Sequence, residues 1–126
     1  MHALRNIHAA LSDDAILIDT QPISPHPPVS ADGIKLGALD MAQWRETINE
    51  VDALTAETIA AGLYQLQHEQ TFTVTDTFDN GPECLETVSG WRGTRVRAAL
   101  AARIRNAPAP LTVAQEVRLR LLRRGR

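Results

Sequence analysis

The chain has 126 residues, 44% of them hydrophobic and 22% charged, with a formal net charge of −2. That length has room for one hydrophobic core, so the expectation is a single domain over residues 1–126, with no need of a disulfide or metal for stability. With Cys84 as its only cysteine, the chain cannot form an internal disulfide, a redox pair or a cysteine-built zinc site.

Residues 3–11 read as a helix, because Leu4, Ile7 and Leu11 recur at helical spacing before Ser12-Asp13-Asp14. Ala15-Ile16-Leu17-Ile18-Asp19 is a short continuous apolar run, the pattern of a strand buried on both faces. Pro22, Pro25, Pro27 and Pro28 make residues 21–30 an extended connector. Asp32-Gly33 marks a turn, and Ile34 to Leu36 a minor strand.

Asp40 with Gln43 resembles a capping box. From there Met41, Trp44, Ile48, Val51, Leu54, Ile59, Leu63 and Leu66 predict a long amphipathic helix over about 41–66. Its other surface is acidic, with Glu46, Glu50, Asp52 and Glu57. Over 70–78 the period changes to two. Phe72, Val74 and Phe78 alternate with Thr71, Thr73, Thr75 and Thr77, which predicts a strand buried on one face. Asn80-Gly81-Pro82 turns into a short helix closed by Gly90, and a second helix follows over about 95–105. The last segment admits two readings. Thr112 with Gln115 could cap a helix, whereas Val113, Val117, Leu119 and Leu121 fit period two; 115–123 is read as a strand.

The order helix, strand, long helix, strand, helical insertion, strand resembles the C-terminal half of a class I S-adenosylmethionine-dependent methyltransferase. So does the text Leu4-Arg5-Asn6-Ile7-His8-Ala9-Ala10-Leu11 leading into Ile16-Leu17-Ile18-Asp19. In that family the long helix crosses from the fifth to the sixth strand, and the seventh inserts antiparallel between them. The resemblance covers most of the chain, with Ser12-Asp13-Asp14 standing where the family has Pro-Gly-Gly. The family's glycine-rich cofactor loop has no counterpart, because the seven glycines are scattered. The expectation is therefore no cofactor, no metal and no catalytic residue of its own.

The threonine face of 71–77 and the Arg118/Arg120 face predict an α+β, two-layer sandwich. Its small mixed sheet has about three main strands, the C-terminal one central, covered by the long helix. The first strand then carries an open edge, so a homodimer or a protein partner is expected there. The candidate ligand-binding residues are Asp19 and Gln21, at the end of that strand, His26 in the proline connector, and Trp91-Arg92 between Gly90 and Gly93. Each also has a structural reading: His26 as a loop residue without a second metal ligand nearby, Trp91 as a core plug.

The leading function is a non-catalytic, methyltransferase-like module that acts by association, with a small ligand at the interface. The alternative is nucleic-acid binding through the last third, where ten arginines face one acid, Glu116, between Trp91 and Arg126. Two halves of one fold that neutralise each other would leave the same asymmetry. No apolar run approaches the roughly 20 residues that cross a bilayer, and Met1 to Arg5 lacks a signal peptide's apolar stretch. The expected location is cytoplasmic, with no membrane partner.

Overall fold

A computed structural model describes Leu4, Ile7, Ala10 and residues 15–125. Leu4, Ile7 and Ala10 are helical; the rest of the helix expected over 3–11 lies outside the described residues. The elements that follow are β1 (Ile16–Pro22), β2 (Pro28–Ala31), β3 (Ile34–Ala38), α1 (Ala42–Ala60), β4 (Tyr64–Phe78), α2 (Gly81–Ser89), α3 (Ala98–Arg105) and β5 (Leu111–Arg124). The expected mixed α and β content is present. Among the described residues the sheet is larger than the three strands predicted, and the pairings of β1, β2 and β3 are antiparallel, not mixed: five strands are joined in the order β1-β5-β2-β3, with β4 also paired to β5.

The last segment is a strand throughout, so Thr112 and Gln115 cap nothing. β1 runs antiparallel to β5, with Ile18 opposite Leu121 and Asp19 opposite Arg120. β2 pairs antiparallel with both β3 and β5. It falls within the segment read as a proline connector. Pro28 is its first residue, a position where the missing amide costs no ladder bond. The β2–β3 hairpin turns on Asp32 and Gly33, both at positive φ (49° and 78°), the geometry that Asp-Gly favours in a two-residue turn.

Asp40 starts α1 by accepting the Ala42 amide at 3.0 Å. The helix ends at Ala60, six residues before the predicted end. Gly62 at φ 80° lets its own amide reach Ile59 O and the Leu63 amide reach Thr58 O, both at 3.0 Å. This pair of bonds closes the last turn as a Schellman motif, so Leu63 leaves the helix and Leu66 lies in β4. Asn80 caps α2 by accepting the Glu83 amide at 2.8 Å.

The chain divides into two compact units, one of residues 1–22, 47–72 and 117–126, the other of 23–46 and 73–116. In the first, Leu4, Tyr64 and Leu122 are buried together, with Leu17, Ile59 and Leu63 against them. The second has the larger core, which includes Val29, Leu39, Met41, Val88, Ile104 and Leu111.

Two burial expectations fail, in the same way. β1 is not buried on both faces: Leu17, Asp19 and Gln21 are half-buried, whereas Ile16 and Ile18 are 49% and 65% exposed. In β4, Phe78 is buried in the core, but Phe72 and Val74 are each 37% exposed, so the apolar side of that strand is covered only at its end. A run of apolar residues fixes the strand, but burial of each face depends on what else packs there.

Candidate functional site

The pleat of β1 puts Leu17, Asp19 and Gln21 on one face, and the register places Leu122, Arg120 and Arg118 beside them on β5. The same unit contributes Val51, Asp52 and Thr55 from α1. Between these elements lies an open cavity of about 270 Å3. Leu4, Ile7, Leu17, Ile18, Val51 and Leu122 form its apolar walls, and Asp19, Gln21 and Thr55 its polar groups.

The polar groups are ordered. Gln21 Nε2 donates to Asp19 Oδ1 at 3.0 Å, and among the described residues the amide oxygen of Gln21 and the second carboxylate oxygen of Asp19 are left to meet a ligand. Thr55 donates its hydroxyl to Val51 O at 2.8 Å.

A charge cluster stands next to the cavity. Arg118, only 7% exposed, grips Asp52 with both terminal nitrogens, at 2.9 and 2.6 Å. Arg120 donates to the same carboxylate at 3.3 Å, and its Nε lies 3.5 Å from Glu69 Oε1. The hydrogen bond to Asp52 raises the Arg118 pKa against the opposing effect of burial, and the charges of Asp52, Asp19 and Glu69 add to it. Three carboxylates thus face two guanidiniums: both arginines hydrogen-bond Asp52, Arg120 is ion-paired with Glu69, and neither arginine hydrogen-bonds or ion-pairs with Asp19. This arrangement suits a small molecule with an apolar body and a hydrogen-bond-donating or cationic head. It has no nucleophile with an adjacent base, and no group of three metal-ligating residues occurs among the described residues.

The cavity brings Asp19 and Gln21 together, and it includes no other sequence-predicted candidate. His26 is exposed in the connector of the other unit, where the flanking Pro25 and Pro27 carbonyls accept the Met41 and Leu39 amides at 2.8 and 2.9 Å. Trp91 is half-buried and packed against the core of that unit, while Arg92 is exposed. A second hollow, of about 210 Å3, is lined by Asp40, Gln43, Glu46 and Arg95 among others. There Gly93, at φ 72°, packs against Trp44 so closely that an added Cβ would lie 2.9 Å from the Trp44 nitrogen.

Sequence reading missed Val51, Asp52 and Thr55 as site residues. Asp52 sits within a run of acids on α1 and is indistinguishable there from a solvated face; the paired arginines at 118 and 120 are the signal that could have found it. No family model matches this chain, and no curated protein matches its sequence.

Proposed function

We propose that the chain is a non-catalytic, methyltransferase-like module, the counterpart of the family's C-terminal half, and that it works by association. The observation that carries this reading is the strand order. β5 pairs with both β1 and β4 and runs antiparallel to β1. The resemblance implies that arrangement for the family's seventh strand between its fifth and sixth. In this reading the architecture is a two-layer sandwich with α1 lying on the sheet, and the bonds from Arg118 to Asp52 support that placement.

The outer edge of β1 is the docking point. The Arg124 amide donates to Ala15 O at 3.3 Å, and the Ile23 amide donates to Glu116 O at 2.9 Å. In an antiparallel ladder the hydrogen-bonded pairs alternate, so the odd-numbered residues of β1 bond to β5. The amides of Ile16, Ile18 and Thr20 point the other way, where no strand pairs with them among the described residues. An added strand would satisfy them. The resemblance implies a partner carrying the glycine-rich half, and the cavity at Asp19 and Gln21 is the place for a small ligand.

Nucleic-acid binding has less support. It needs the arginines on one exposed surface, and Arg118 and Arg120 are held by Asp52 and Glu69.

Isothermal titration with S-adenosylmethionine tests the reading, first on the chain alone and then on the chain co-expressed with the coding sequence directly upstream. Binding is expected only in the second case. Binding by the chain alone, or by neither preparation, would overturn the proposal.

A further inference from the structure

The polar groups of the cavity at Asp19 are nearly all acceptors. A carboxylate accepts only, so the amide of Gln21 can turn nothing but its nitrogen toward Asp19. The 3.0 Å bond from Nε2 to Oδ1 therefore fixes the Gln21 oxygen away from that carboxylate. The Thr55 hydroxyl has one proton and spends it on Val51 O at 2.8 Å, which leaves its oxygen as an acceptor. Asp19 Oδ2, Gln21 Oε1 and Thr55 Oγ1 are thus three acceptors on one cavity, from two elements of the same unit. Among the described residues the one donor set against them is the second N–H of Gln21. Arg118 and Arg120 add none: neither lines the cavity, and both reach Asp52. With Asp52 and Glu69 set against the two arginines, Asp19 is the carboxylate in excess among the described residues. It is half-buried, where a charge is screened less than on open surface.

We infer that the cavity takes a small aliphatic primary amine, bound as its ammonium. The inference rests on the reading of this cavity as a ligand site and adds the class of ligand. A primary ammonium carries one positive charge and three N–H donors, with no acceptor. That matches one uncompensated carboxylate and three acceptor oxygens. An alcohol brings a single donor and no charge. A quaternary ammonium brings the charge without a donor, and its usual site is an aromatic cage. The walls here, Leu4, Ile7, Leu17, Ile18, Val51 and Leu122, are all aliphatic. A ligand carboxylate would meet acceptors and a like charge. The volume, about 270 Å3, falls below the roughly 300–1,000 Å3 of most ligand pockets, so the apolar body is a short one.

Titration of the chain with n-hexylamine at neutral pH, followed by two-dimensional amide NMR, tests this. Hexan-1-ol and hexyltrimethylammonium serve as probes with the same body and a different head. Hexylamine is expected to shift the amides around Asp19, Gln21 and Thr55 in a saturable way. It should bind at least about tenfold more tightly than either other probe, the ratio that one charge-assisted hydrogen bond supports. Asp19→Asn keeps the shape and removes the charge, and should weaken hexylamine at least about tenfold with an otherwise wild-type spectrum. Thr55→Val should weaken it about threefold or more. Equal binding of the three probes, or hexylamine binding that survives Asp19→Asn unchanged, would overturn the inference and leave the cavity as an apolar ligand site. No saturable shift with any probe would overturn both the inference and the cavity's role, without touching the proposed partner at the β1 edge.

Discussion

Replacing Asp52 by alanine leaves Arg118 as a buried cation with neither terminal nitrogen bonded to a carboxylate. Arg118 is 7% exposed, and it loses two charge-assisted bonds, of 2.9 and 2.6 Å. Breaking a fully buried ion pair by removing one partner costs about 3–5 kcal/mol. The Asp52 side chain is 25% exposed, so water can replace part of what is lost, while Arg120 keeps Glu69. The expected loss for Asp52→Ala is therefore about 2–4 kcal/mol. The double variant Asp52→Leu/Arg118→Met removes both charges and fills the space, and it should come within about 1.5 kcal/mol of wild type. Urea denaturation followed by far-UV circular dichroism measures both, with the slope checked for constancy. A single variant that loses less than about 1 kcal/mol, or a double variant no better than the single, would refute the reasoning.

Alkaline stability should fall in two stages. Burial raises the thiol pKa of Cys84, with Glu83 adding to it, and burial raises the phenol pKa of Tyr64 against the opposing charge of Arg124. In each case the unfolded state releases its proton first, so the stability is complete below the ordinary values of 9.0 and 10.0 and is lost as pH rises past them. Tyr64→Phe should remove the later stage; because Tyr64 also donates to Leu4 O at 2.6 Å, it should cost about 1–2 kcal/mol at neutral pH. Gly93→Ala, which needs a positive φ and meets Trp44, should destabilise by about 2 kcal/mol or more, whereas Gly33→Ala, with open space around it, should cost only about 1; thermal melts compare the two. Trp91→Ala should cost about 2–3 kcal/mol from lost packing, and Arg92→Ala should stay within about 0.5. Equal effects at 91 and 92 would contradict the packing of Trp91 against the core.

Much of the fold was legible because it rests on local chemistry. Asp32-Gly33, Asn80-Gly81-Pro82 and the alternation after Val113 each encode their geometry within a few residues. The end of α1 was harder to read: Leu63 and Leu66 continue the helical spacing, and only the positive φ at Gly62 turns the chain into β4. β2 was hidden because a four-residue strand opening on proline looks like a connector. The exposure of Ile16 and Ile18 on β1, and of Phe72 and Val74 on β4, was invisible for a different reason. Burial is a property of neighbours, and Ile16-Leu17-Ile18 reads the same whether its second face is covered or bare. At the site, Asp19 and Gln21 were found from their place at the end of a strand. Asp52 lies 66 residues from Arg118, and no local pattern joins them.

Residue-resolved hydrogen exchange on β1 tests the association account most directly. In the dilute chain, the amides of Ile16, Ile18 and Thr20 should exchange much faster than those of Leu17, Asp19 and Gln21, which bond to β5. In the proposed complex with the upstream partner, the three fast amides should become protected. Outward amides already as slow as the inward ones in the dilute chain, or still fast in that complex, would contradict a function exercised through the β1 edge.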